Sequence, residues 1–171
     1  MREILDYSTM PKKNDKLKNF ADVASFVKKE KKKGKRIITT NGCFDIVHVG
    51  HIRSLQAAKA LGDILVVGIN SDASVRALKG KERPIVPEQE RAEVIAALGA
   101  VDAAFIFRTK TPKPWLSVLK PHIHVKGNDR SLNQIIEKDT VEAGGGKIVL
   151  FPVQKGRSTT KIIEKIRRGK D

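Results

Sequence analysis

The chain has 171 residues, with 34 lysines and arginines against 19 aspartates and glutamates. That length suits one domain with a real apolar core, and the net charge of +15 should draw anions such as nucleotides, sugar phosphates, nucleic acid or acidic lipid headgroups. A lone cysteine, Cys43, excludes a disulfide framework and a cysteine-built zinc site; no apolar run reaches membrane-span length, and the N-terminal MREILDYSTMPKKND lacks the core of a secretory signal, so a soluble cytoplasmic protein is expected.

In chain order, Leu17, Phe20, Val23, Ala24 and Val27 recur at helical spacing, and that helix should end near Gly34. The lysine-rich KKEKKKGKR that closes it reads as a solvated helix end. RIITT predicts a strand, HIRSLQAAKALG a helix closed by Gly62, and DILVVGIN a buried parallel strand, which together make one βαβ unit. The rhythm repeats: helix PEQERAEVIAALGA opening on Pro87, strand DAAFIF, helix PKPWLSVLK, strand HIHVK, helix LNQIIEKDTVEAGG, strand KIVLF, and a last helix from about Thr159 to Arg168. Five strands with intervening helices predict a single doubly wound, Rossmann-like α/β domain on a mainly parallel sheet. Ligands bind such sheets at the carboxyl ends of the strands, where the winding reverses.

NGCFDIVHVGH, residues 41–51, lies just past the first of those strand ends. Gly42 permits a tight turn, and the N–H groups entering the next helix point toward an anion with the helix dipole behind them. His48 and His51, three residues apart, can face one side, with Gly50 leaving room for a ligand between them. Competing readings are a metal site, for which two histidines without a third ligand are a poor start, and polar residues incidental to a helix start. Cys43 reads as a small packed residue, since a catalytic thiol needs a positioned base. RSTTKII places Ser158, Thr159 and Thr160 at the mouth of the last helix, where hydroxyls cap and N–H groups hold phosphate.

N-G-C-F-D-x-x-H-x-G-H resembles the signature of the cytidylyltransferase-like nucleotidyltransferase superfamily. Residues 61–107, with TP at 111 and 112, LKPHIHVKGND at 119–129 and GRSTTKIIEKI at 156–166, resemble in order the branch that joins D-glycero-β-D-manno-heptose 1-phosphate to AMP. The resemblance implies a nucleotidyltransferase domain over residues 36–168, after an extension and amphipathic helix over 1–35. It implies catalytic His48, His51, Lys79 and Arg91, the last two neutralising phosphates. Gly42, Cys43, Phe44, Asp45, Gly50, Lys126, Gly127, Asp129, Ser158, Thr159 and Thr160 would line the nucleotide pocket, with Asp45 orienting the turn or a histidine. ATP would arrive with Mg²⁺ and no protein metal ligand; a separate sugar kinase would supply the 1-phosphate, and a homodimer is the assembly considered. The heptose branch carries an acidic residue before T-P and GGDY after the lysine, where this chain has RTKTP and GNDRS. Other acceptors used by related branches are glycerol 3-phosphate with CTP and FMN with ATP. A noncatalytic basic RNA-binding module is the reading from another class; few aromatics and no RNA-binding signature weigh against nucleic acid.

Overall fold

The computed structural model describes residues 14–128, 132–152 and 158–169. Its centre is a five-stranded sheet made of β1 (Ile37–Gly42), β2 (Ile64–Asn70), β3 (Ala103–Phe107), β4 (Ile123–Gly127) and β5 (Lys147–Phe151), in the order β3-β2-β1-β4-β5. Every pairing is parallel. All seven residues of β2 are buried, which is why DILVVGIN is apolar without alternation. The outer edge of β3 is covered by the chain before the first helix, where Leu17 bridges Ala104.

Alternate residues of the strands feed two apolar layers. Ile38, Leu65, Val67 and Ile69 pack with Leu55 of α2 (Val49–Lys59) and Ile95 of α4 (Glu88–Ala97). Ile37, Val66 and Phe105 pack on the other face with Val23 and Val27 of α1 (Phe20–Lys32), Trp115 and Leu116 of α5 (Lys113–Leu119), and Val141 of α6 (Lys138–Ala143). The N-terminal helix is therefore built into the same sheet sandwich as the rest. After β3 the chain returns past β2 and β1 to lay down β4, so the winding reverses between β1 and β4 and opens a crevice at their carboxyl ends. The last helix, α7 (Thr159–Arg168), starts at that crevice and has no buried residue.

Two elements differ from the sequence expectation. Asp72–Lys79 forms a helix, α3, that periodicity does not disclose, because Val75 is the one residue of its eight that is buried. It is started by Ser71, whose hydroxyl accepts from the Ser74 N–H at 3.3 Å. The single helix expected from LNQIIEKDTVEAGG is instead a 3₁₀ turn at Leu132–Gln134 followed by α6. Ile135 and Glu137 are both buried, and residues two apart point to opposite sides of an α-helix. The chain therefore stays irregular until both have turned inward.

Candidate active site

A cavity of about 400 Å³ occupies the crevice, within the range of small-ligand sites. Of the residues singled out by sequence, Gly42, Cys43, Phe44, Asp45, His48, Gly50, His51, Lys79, Lys126, Gly127, Ser158, Thr159 and Thr160 line it. Asp129 lies outside the described residues. Arg91 does not reach the cavity.

The turn after β1 is held by close contacts. Phe44 has φ +49°, a left-handed conformation that is unfavourable for an aromatic residue. Its ring folds back on Gly42, where a Cβ would lie 3.1 Å from two ring carbons. A Cβ on Gly50 would lie 2.9 Å from the His48 ring, so this glycine makes room for an imidazole rather than for a ligand.

That imidazole is the N-cap of α2. His48 Nδ1 accepts from the Gly50 N–H at 3.1 Å, and the His48 N–H donates to His51 Nδ1 at 3.4 Å. With both Nδ1 atoms accepting, the neutral rings carry their protons on Nε2. The rings stack at 3.9 Å between centroids, 21° from parallel. Burial, followed by the charge His48 would carry, pushes the His51 pKa down to about 4. At neutral pH His51 is thus an uncharged N–H donor at a helix N-terminus. An NMR titration should place its midpoint near 4 and not at the ordinary 6.5; the latter would mean that the ring is solvated and not packed against its partner. Because folding lowers this pKa, the associated stability is complete above 6.5 and lost as pH falls toward 4.

Cys43 is not a nucleophile. Burial raises its thiol pKa despite the opposing charges of Lys79, Arg91 and Arg83, leaving it protonated at neutral pH. Asp45 was expected to orient the turn or a histidine. Its carboxylate accepts from Arg83 Nε at 2.5 Å and from the Ile85 and Val86 N–H groups at 2.8 and 2.9 Å, so it serves the turn, tying the segment between α3 and α4 to it. Arg83, whose place in a charged KERP run carries no local signal, thereby joins the cavity wall. Lys79, at the end of α3, is exposed at the cavity rim and forms no ion pair with a described carboxylate.

Arg91 is fully buried at its side chain. It donates to the carbonyls of Val86 at 2.9 Å, Asn70 at 2.8 Å and Cys43, and pairs with Asp72 at 2.8 Å. Its guanidinium fork is spent on three carbonyls and the Asp72 carboxylate, so in this arrangement it fixes the Cys43 turn and the ends of β2 and α4 from behind the cavity.

On the far wall, Ser158 caps α7 by accepting from the Lys161 N–H at 3.2 Å, and the Thr159 hydroxyl donates to the Ile46 carbonyl at 3.1 Å. The N-termini of α2 and α7 therefore border one cavity, an arrangement suited to a polyanion. Thr40, Asn41, Ser54, Leu55, Val125, Phe151 and Pro152 complete the lining. Asn41 opens the N-G-C-F-D motif and Val125 lies in LKPHIHVKGND, whereas the others come from strand ends and helix sides outside the blocks that carry the resemblance.

Residues 39–165 match the cytidylyltransferase-like family model. The chain belongs to the cytidylyltransferase-like family. Cytidylyltransferase-like relatives include "Bifunctional protein HldE" of Geotalea uraniireducens (strain Rf4), 50% identical over 159 residues that make up 93% of this chain and 32% of that protein. The protein of the same name from Geobacter metallireducens is 50% identical over 153 residues, 90% of this chain and 31% of the relative. The chain thus spans about a third of the length of these relatives. The lipopolysaccharide core biosynthesis protein from Thermoplasma volcanium GSS1 superposes with a TM-score of 0.61 at 30% identity, covering 72% of this chain and all of that one. The pantoate-beta-alanine ligase of Francisella tularensis shares the fold at a TM-score of 0.58 and 17% identity, over 84% of this chain and 68% of that one. The cytidylyltransferase-like domain is thus an α/β nucleotidyltransferase fold with an all-parallel sheet.

Proposed function

We propose that the protein transfers AMP from ATP to a sugar 1-phosphate, D-glycero-β-D-manno-heptose 1-phosphate, releasing ADP-heptose and pyrophosphate. The observation that carries this is the pair of stacked imidazoles, each accepting a backbone N–H at Nδ1, at one of two helix N-termini bordering the cavity. A phosphate monoester loses its second proton near pH 6, so the acceptor oxygen arrives as an anion and needs no activated serine, cysteine or base. It attacks the α-phosphorus of ATP in line, the bond to the bridging oxygen breaks, and that oxygen leaves with pyrophosphate. His48 and His51 donate to the charge gathering on the phosphate oxygens, the N–H groups opening α7 hold the leaving pyrophosphate, and Lys79 faces the acceptor phosphate.

Heptose as the acceptor is supported by the residue 61–107 resemblance and by the identity to the HldE proteins. Magnesium would enter with ATP as co-substrate, while the carboxylate of Asp45 is committed to Arg83 and two N–H groups. A sugar kinase would supply the 1-phosphate, and the use of ATP places the reaction in the cytoplasm. No described helix is long and apolar enough to cross a membrane.

Pyrophosphate release measured for ATP, CTP and GTP against heptose 1-phosphate, glycerol 3-phosphate and FMN should be fastest for ATP with the heptose. Faster turnover of CTP with glycerol 3-phosphate would replace this acceptor assignment. Lys79→Ala should raise the acceptor KM at both low and physiological salt. The triple variant Lys31→Gln, Lys32→Gln, Lys33→Gln should leave kcat unchanged, because charges on the far end of α1 are screened over about 8 Å. Equal losses in both proteins, vanishing together as salt rises, would show diffuse attraction and remove Lys79 from the site.

A further inference from the structure

At the cavity wall formed by β4, Lys126 is accompanied by a buried acid. Lys126 Nζ lies 2.8 Å from Glu137 Oε1 and donates to Asn41 Oδ1 at 3.1 Å. Behind it, His124 Nε2 stands 3.5 Å from the same carboxylate oxygen, while His124 Nδ1 meets the Thr39 hydroxyl at 2.8 Å. His124 is wholly buried and Glu137 is 3% exposed, whereas the Lys126 side chain is 25% exposed and lines the cavity. Burial by itself would raise the Glu137 pKa, but His124 and Lys126 outweigh it and bring the value down to about 2. Burial lowers the pKa of His124 and keeps its ring neutral at neutral pH. The cluster is thus one carboxylate balanced by one ammonium, with a neutral imidazole behind.

That balance decides what Lys126 can bind. A lysine whose charge is matched by a buried carboxylate 2.8 Å away offers a ligand little net attraction for phosphate. An ammonium has three N–H donors. With one on Asn41 and one side turned to Glu137, what remains is a directed donor at the mouth of β4. Among the described residues Val125 and Phe151 belong to the same pair of strand ends, with Pro152 following, whereas the two helix N-termini and Lys79 come from other elements of the lining.

We infer that Glu137 is a positioning residue that neutralises Lys126 and aims it at an uncharged acceptor of the nucleoside, a ring nitrogen or ribose oxygen, rather than at the phosphates. The inference rests on the adenylyltransferase reading and divides its cavity, among the described residues, into a nucleoside end at β4–β5, where Glu137 balances Lys126, and a phosphate end at the helix N-termini and Lys79. It also gives the irregular stretch before α6 a purpose, since a continuous helix there could not bury Ile135 and Glu137 together.

Binding of ATP, adenosine and tripolyphosphate, each read by displacement of a fluorescent ATP analogue, separates the two ends. Lys126→Met should weaken adenosine and ATP alike by about ten- to a hundredfold, the scale of one hydrogen bond from a charged donor, and leave tripolyphosphate unchanged. Glu137→Gln should weaken adenosine by a similar factor but strengthen tripolyphosphate, because it unmasks a cation in the cavity. A merely structural Glu137 would weaken all three together, and that result overturns the inference, as does a loss of tripolyphosphate binding in Lys126→Met equal to the loss of ATP. Should either single variant fail to fold, the double variant Lys126→Met, Glu137→Gln leaves no unbalanced charge and must show weak adenosine with unchanged tripolyphosphate. If the unaltered protein binds no ATP, the adenylyltransferase reading itself fails; ATP binding with the wrong pattern among the variants overturns only the role of Glu137.

Discussion

Replacing His51 by alanine should lower kcat about 10²- to 10³-fold, the scale for removing one donor to a transition-state oxyanion, and His48→Ala should do the same. The two losses differ in what accompanies them. His51 is stacked on His48, lies edge-on to Phe44 at 5.4 Å between centroids and accepts the weak 3.4 Å contact from the His48 N–H, so its removal takes away ring packing and the weaker half of the capping box. His48 is also the N-cap of α2, and loss of a cap costs about 1 kcal/mol. His48→Asn separates the two roles, because asparagine is among the best N-caps but cannot carry a donor out to the position of Nε2. Its thermal midpoint should stay near that of the unaltered protein while kcat remains low. Near-normal turnover in any of these folded variants would show that the histidine does not carry the chemistry.

Arg91→Met should destabilise the fold by about 3 to 5 kcal/mol, the cost of breaking a buried ion pair and stranding its partners. Methionine fills similar volume but leaves the Val86, Asn70 and Cys43 carbonyls without the donor that now satisfies them. For a chain of this size each kcal/mol corresponds to roughly 2 to 4 °C in Tm, so the shift should be plain in urea and thermal unfolding. Activity should fall with it, since the Cys43 carbonyl anchors the turn that leads to His48. If Arg91 instead met substrate phosphates directly, the variant would unfold normally and lose only KM. A midpoint unchanged in urea would support that role and refute the structural one.

Arg91 also shows where local reading of the chain reaches its limit. Its place in EQER on an amphipathic helix is equally consistent with a surface cation, a phosphate ligand or a buried clamp. What decides among these is that α4 packs against β2 and turns residue 91 toward three carbonyls from separate segments. Likewise Gly50 is visible in the H-x-G-H motif, yet its reason is the ring of His48, 2.9 Å from where a Cβ would sit. Asp45 reads equally as a support for the turn or for a histidine, and it is the contacts to Arg83 and the two N–H groups beyond it that favour the turn.

The amino-acid sequence alone determined the strand and helix alternation, the single domain on a parallel sheet, the position of the histidine turn at the first strand end, and the cap of the last helix. These are properties of periodicity and spacing: a buried parallel strand must be continuously apolar, an amphipathic helix must repeat every three to four residues, and a helix start needs its oxygen within three residues. Tertiary structure decided α3, whose one buried anchor leaves no periodic trace, the break before α6, and the pairing of Lys126 with Glu137. Those features depend on distances across the fold between groups that no local pattern links, and on burial, which sets whether a charge is solvated, balanced or lost.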